Sequence, residues 1–370
     1  MNPTDSLIAR MLRGDLQWPT HGMRGDTFLE RAYLHGVTSL LHDTLERSAH
    51  APSLPGTVRE ALRERTLRAA AVELIRRQEL QHLLELMADA GIRPILMKGT
   101  ALAYSLYAQP SLRERADTDL LVHPDQRERL FQLLRAQGFR QPDAAGGELA
   151  SSEAAFGKDG STLALDVHWR ISSSPLLSGA LEFEALAAQA VPVPALGVHA
   201  RAPGTADALL LAAIHRAKHH QSPFYAGGVE HRGDRLIWLY DLHLLAPALT
   251  GGDCAALVQR TARNRVAGLC LDALRVAREA FATPLPGGLM DALERAASAP
   301  EPSMVFLRGG RRALLLAELR ALPRWHQRWQ LLREHALPPA DYMLGKYRTR
   351  RRWLLPALYV RRAVRWLVRA

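Results

Sequence analysis

Between Ile92 and Val122 the chain reads I-R-P-I-L-M-K-G-T-A-L-A-Y-S-L-Y-A-Q-P-S-L-R-E-R-A-D-T-D-L-L-V, the stretch around which the rest is organised. The apolar run Ile92 to Met97 suits a buried strand, and it stops at Lys98-Gly99-Thr100. An apolar pattern at helical spacing follows (Leu102, Ala103, Leu106, Tyr107), then a turn at Pro110. Two arginines, Arg113 and Arg115, precede a second strand, Asp117 to Val122. A strand, a glycine turn and a helix N-terminus make an anion site, because the first helical amides are unpaired and the dipole favours negative charge. Side chains at i and i+2 of a strand share a face, so Asp117 and Asp119 point the same way. Two adjacent carboxylates repel unless a cation sits between them. Together these features describe a site for a nucleoside triphosphate with magnesium. Lys98 is expected to meet the phosphates as a point charge, with Thr100 as the helix N-cap.

The stretch Ser161 to Ile171, S-T-L-A-L-D-V-H-W-R-I, reads as a third strand. Leu163, Leu165 and Val167 fall on one face, and Asp166, His168 and Arg170 on the other. A solvent-facing carboxylate in a half-exposed strand is the plain reading of Asp166. The paired aspartates upstream favour a catalytic one.

Lys98-Gly99, Tyr107, Arg113 and Asp117-x-Asp119-Leu-Leu-Val together resemble the largely uncharacterised bacterial nucleotidyltransferases of the DNA polymerase β-like superfamily. The resemblance is most specific over residues 90 to 170 and looser over 28 to 345. The superfamily usually carries Gly-Ser where this chain has Lys98-Gly99. The resemblance implies an α+β fold whose small mixed sheet carries the site, with N-terminal helices and a C-terminal helical lobe. It implies metal-dependent transfer of a nucleoside monophosphate from a triphosphate to a hydroxyl acceptor, with release of pyrophosphate. Asp117, Asp119 and Asp166 would be the catalytic carboxylates and the ligands of Mg2+ or Mn2+. Lys98, Gly99, Thr100, Arg113, His168 and His215 would contact the nucleotide. A γ-phosphoryl transferase would use much the same groups. A degenerate fold that only binds nucleotide or a partner is the third reading, against which three clustered carboxylates argue.

The rest of the chain sets the frame. At 370 residues it can bury a substantial core. The expected divisions are an N-terminal helical segment (1–90), a catalytic core (91–204), a helical lobe (205–345) and a basic tail (346–370). A long helix is expected over 57–90, with a buried stripe through Leu62, Leu67, Ala71, Leu74, Leu80, Leu83, Leu84 and Met87. Residues 142–160 read as a mobile Gly/Ala/Ser-rich loop, and everything after 204 as helical. His215 and His219 have zinc-like i, i+4 spacing but no third ligand nearby. The resemblance instead turns His215, with Lys218 or His219, toward the nucleotide. Arg235, Trp238 and Asp241 share a helix face, which fits a family motif or a buried ion pair. Two cysteines are too few for a disulfide framework, no apolar run reaches membrane-spanning length and no signal peptide is evident, so a cytoplasmic enzyme is expected. From Gly345 onward one Lys and eight Arg meet no Asp or Glu, against a net charge of +11 for the whole chain. That tail, interleaved with Trp353, Leu358, Trp366 and Leu367, could lie on an anionic membrane surface, bind RNA phosphates or dock on the body.

Overall fold

A computed structural model describes all residues except 20, 49–52, 142–146, 148, 227–228 and 370, and no side chains at 226 or 364–369. Three short helices open the chain: α1 (Pro3–Leu12), α2 (Gly25–His35) and α3 (Thr38–Glu46). The 34-residue α4 (Gly56–Asp89) follows, rich in the straight-chain residues that favour helix. Gly91, with φ of +71°, ends it. Next come β1 (Ile95–Met97), α5 (Lys98–Ser105), β2 (Thr118–Leu121), α6 (Arg127–Ala136), β3 (Glu153–Gly157) and β4 (Ala164–His168). After α7 (Phe183–Ala188) the chain is mostly helical, through α8 (Thr205–Gln221), α9 (Leu236–Leu245), α10 (Gly251–Asn264), α11 (Ala267–Phe281) and α12 (Leu289–Ala296). It ends in α13 (Val305–Arg308), α14 (Arg311–Ala321), α15 (Trp325–Ala336), α16 (Ala340–Lys346) and α17 (Leu355–Arg369).

The sheet order is β1-β2-β4-β3, with β2 and β4 parallel and both outer pairings antiparallel. This is the small mixed sheet of an α+β protein. Strand alternation divides its side chains between two cores. Leu96, Leu120, Val122, Phe156, Leu165 and Val167 pack with Leu80 to Met87 of α4 and Leu130 to Leu134 of α6. Ile95, Met97 and Leu121 face a larger cluster in which α1–α3 and α8–α12 meet. The N-terminal helices and the C-terminal lobe thus share one apolar core, on the side of the sheet that carries the polar site.

Several expectations change. Leu67, Ala71 and Leu74 are exposed, along with Val72 and Ile75, so the buried stripe of α4 lapses over its middle turns. The segment after 204 is not wholly helical, since Phe224–Ala226 pairs with Val229–His231 in a hairpin. Part of the 142–160 loop is the strand β3, and residues 142–146 and 148 lie outside the described residues. In the tail, Leu358 is buried, Tyr359 Oη donates to Pro338 O at 2.6 Å and Val360 is exposed, so α17 packs in part on the neighbouring segment between α15 and α16. The side chains of Arg365, Trp366, Leu367 and Arg369 lie outside the described residues. Among those described, no helix is long and apolar enough to cross a membrane.

A buried ion pair ties the segment between α5 and β2 to α9. Arg113 donates from Nε and Nη2 to both oxygens of Asp241 on α9, at 2.8 and 2.7 Å. Tyr107 Oη donates to the same carboxylate at 2.7 Å, and Arg113 Nη1 to Glu114 O at 2.7 Å. Asp241→Ala would leave the guanidinium buried without its counter-charge, a loss of about 3–5 kcal/mol in urea unfolding. Arg113→Leu combined with Asp241→Leu should cost less than the single change. A single-variant loss below about 1 kcal/mol would show that water compensates Arg113.

Candidate active site

The site begins with a register. In the parallel pairing of β2 and β4, Asp119 stands opposite Asp166, and Leu121 opposite His168. Neighbouring strands lie about 4.8 Å apart, so matched positions bring their side chains together on one face. Asp119, Asp166 and His168 each offer a ligand atom within 4.8 Å of the others. Antiparallel β3 completes the floor by setting Glu153 against His168 and Ala155 against Asp166. Asp117 comes just before β2, half-buried, and the convergent set takes His168 rather than Asp117 as its third member.

Lys98 reaches into this cluster from the turn where β1 passes directly into α5, as the first residue of that helix. Its Nζ donates to Asp119 Oδ1 at 2.5 Å and lies 3.3 Å from His168 Nε2. His168, fully buried, has Nε2 at 2.9 Å from the same Asp119 oxygen and Nδ1 at 3.1 Å from Glu153 Oε2. Lys98 also has φ of +49°, in the left-handed region that L residues rarely occupy. A glycine would sit there without strain; here a lysine accepts the strain and delivers an ammonium.

The electrostatics follow from burial and neighbours. Burial alone would raise Asp119, but Lys98 and His168 outweigh it and hold the carboxyl well below the usual range. Burial likewise works against the Lys98 charge, yet Asp119 and Glu153 leave its pKa raised. Asp166 makes no ion pair among the described residues, and Lys98 acts on it more weakly than burial or the nearby carboxylates. Burial, with Asp117, Asp119 and Glu153 nearby, pushes it up to about 7. Asp117 rises for the same reasons, burial first and Asp119 second. His168 is lowered by burial and by Lys98, which favours the neutral imidazole. Lys218 on α8, lowered by burial, is also felt by Glu153, Asp119 and Asp166. The set is therefore rich in carboxylate and short of positive charge, the donor chemistry that fits a divalent cation.

The other expected contacts fall around this centre unevenly. Gly99 is buried at the second position of α5, and the Cβ it lacks would lie 3.5 Å from Arg113 Nη1. Thr100 is not the N-cap. Met97 holds that position, and the Thr100 hydroxyl is fully buried with no hydrogen-bond partner among the described residues. Arg113 is buried and committed to Asp241. Arg115 donates to Glu73 at 2.7 Å, and Glu73 also accepts from Tyr104 at 2.6 Å. His215 lines a narrow cavity of about 20 Å³ together with Lys98, Gly99, Arg113, Trp238 and Asp241. It packs against His219 and Trp238 with ring centroids 4.6 and 5.0 Å away, and burial drives its pKa well down. Arg235 does not pair with Asp241; it donates to Leu34 O at 2.9 Å and lies over Phe224 and Trp238.

Sequence reasoning missed Glu153. Its strand, E-A-A-F-G, is short and alanine-rich, and only the alternation of buried Ala154 and Phe156 signals it. No curated protein matches the chain. A family model described as "Uncharacterised nucleotidyltransferase" matches residues 22–282, from α2 to just beyond α11. That span takes in the sheet, the Lys98 turn and the helices that cover them, and the chain belongs to this uncharacterised nucleotidyltransferase family.

Proposed function

We propose that the protein transfers a nucleoside monophosphate from a nucleoside triphosphate to a hydroxyl acceptor, releasing pyrophosphate. The observation that carries the proposal is the register of β2 on β4. It gathers Asp119, Asp166 and His168 within 4.8 Å beside the N-terminus of α5. Asp119 and Asp166 would hold Mg2+ or Mn2+, with Asp117 beside them and His168 orienting Asp119. A divalent cation there supplies charge neutralisation for the triphosphate and acidity for the attacking hydroxyl. Lys98, the free amides of α5 and Lys218 form the positive side of the site, where phosphate oxygens are stabilised. Asp166, the least neutralised carboxylate, is the group to take the acceptor proton. His215 and Arg113 shape the wall behind the Lys98 turn. Most of the catalysis is positioning and charge.

The decisive assay incubates the protein with each α-labelled triphosphate and Mg2+ or Mn2+, offering protein, RNA and small hydroxyl compounds as acceptors. Pyrophosphate and a labelled adduct are expected. A nucleoside diphosphate would mean γ-phosphoryl transfer, and binding without either product would mean a nucleotide-binding module. Asp119→Asn should lower turnover by at least about 100-fold, the scale of losing one transition-state contact.

Asp166 gives a stability test. Its folded pKa of about 7 lies above the ordinary carboxylate value, so the folded state favours the protonated acid. The metal-free protein should therefore lose stability as pH rises through 7. Asp166→Asn removes that penalty. It should raise the melting temperature of the metal-free protein above pH 7 and abolish the gain that Mn2+ gives the native chain. A variant still stabilised by Mn2+ to the native extent would remove Asp166 from the cation site.

Lys98→Ala separates phosphate recognition from folding. Triphosphate binding should weaken by roughly 1–3 kcal/mol, as for a lost charge-assisted contact, while nucleoside binding changes little. Equal losses for both ligands would assign Lys98 to the fold alone.

A further inference from the structure

The chain's positive charge is concentrated in one segment that the proposed reaction does not use. Residues 308–370 hold sixteen Lys and Arg against three Asp and Glu, a net +13. The whole chain carries +11, so the first 307 residues carry −2. The three carboxylates do little to offset this. Glu334 accepts the Leu149 and Ala150 amides at 3.0 and 2.7 Å, burial raises Glu318, and Asp341 pairs with Arg352 at 3.1 Å.

The same segment exposes large apolar side chains. Trp325, Trp329 and Trp353 are 77%, 65% and 73% exposed, and they are the exposed tryptophans among the described residues. Trp325 and Trp329 lie at i and i+4 on α15 and so project from one face, continued by exposed Arg333. The opposite face of α15 is anchored to the body through buried Leu331 and Glu334. Leu316, Leu337 and Val360 are exposed as well. Apolar side chains exposed singly are ordinary, but two tryptophans side by side on one face of a helix make a patch of the kind that marks an interaction site.

We infer that this segment docks on an anionic membrane surface, with the arginines meeting lipid phosphates and Trp325, Trp329 and Trp353 entering the headgroup boundary. Arginine with tryptophan is the pairing that suits this interface, where indoles are amphipathic and each cation near an anionic surface adds attraction. The aliphatic exposure favours lipid over RNA. Leu316, Leu337 and Val360 offer no stacking surface to a base but gain from contact with acyl chains. From α17 come charge and the exposed Val360, while Leu358 on the same helix is buried.

The test uses the full chain and co-sedimentation with vesicles of phosphatidylcholine alone or mixed with phosphatidylglycerol, in low and moderate salt. Binding should need the anionic lipid, weaken with salt and shift the tryptophan emission to the blue. Trp325→Ser, Trp329→Ser and Trp353→Ser combined should lower binding about tenfold, with the melting temperature unchanged because all three side chains stand in solvent. Arg320→Gln, Arg324→Gln and Arg328→Gln combined should weaken binding and flatten its salt dependence. Any of three results would overturn the inference: no preference for anionic vesicles, full binding by the tryptophan variant, or an RNA homopolymer that binds more tightly than the vesicles and depends on the same tryptophans.

Discussion

A carboxylate in the middle of a central strand governs this structure. Asp119 is almost wholly buried, on a strand whose four residues are all buried. An unpaired ionised carboxylate there would be expensive, so its partners are not optional. Lys98 and His168 meet one of its oxygens from two directions. One is delivered by a strained strand-to-helix turn and the other by the adjacent parallel strand. Both deliveries depend on register, because a one-residue slip of β4 against β2 would carry Asp166 and His168 to the opposite face and Val167 toward Asp119. The apolar core beneath the sheet forbids that slip, since Leu165 and Val167 are fully buried in it.

The surrounding helices hold that geometry by sharing a core across the length of the chain. Residues from α1–α3 pack with residues from α8–α12, and Met97 and Leu121 of the sheet join the same cluster. Polar ties cross the same boundary. Arg113 reaches Asp241 over a sequence separation of 128, and Arg235 reaches Leu34 O over 201. Gly36 has φ of +66°, and a Cβ there would meet the Arg235 guanidinium at 2.7 Å, so a larger residue would be strained and would displace Arg235. The narrow cavity behind the Lys98 turn is walled by these elements, and the lobe therefore fixes the turn from behind.

What the sequence disclosed follows from the range of the interactions. The strand–turn–helix at Lys98 and the alternation around Asp119 and Asp166 are local patterns, and both elements form where the pattern puts them. The mixed sheet follows from them. Partners chosen by tertiary packing were not legible. Arg113 looks like a phosphate ligand until Asp241 is brought beside it, and Thr100 looks like a cap until the helix begins two residues earlier. Leu67 and Leu74 keep helical spacing, but spacing says nothing of whether another element arrives to cover them. Glu153 was hidden because a five-residue strand in an alanine-rich stretch has little propensity of its own.

Charge counting links the strained lysine to the cation. Asp117, Asp119, Glu153 and Asp166 bring four carboxylates to one face, and Lys98 and Lys218 bring two ammonium groups that act on them. His168 is not counted with them, since burial and Lys98 favour its neutral form. Two negative charges are left over, the charge of one divalent ion. The protein without that ion meets the excess by holding a proton on Asp166, whose pKa of about 7 is the mark of the imbalance. Lys98 cannot remove it, because its ammonium is already spent on Asp119. A lysine at this turn thus relieves the carboxylate deepest in the sheet and leaves the more open Asp166 in want of a cation.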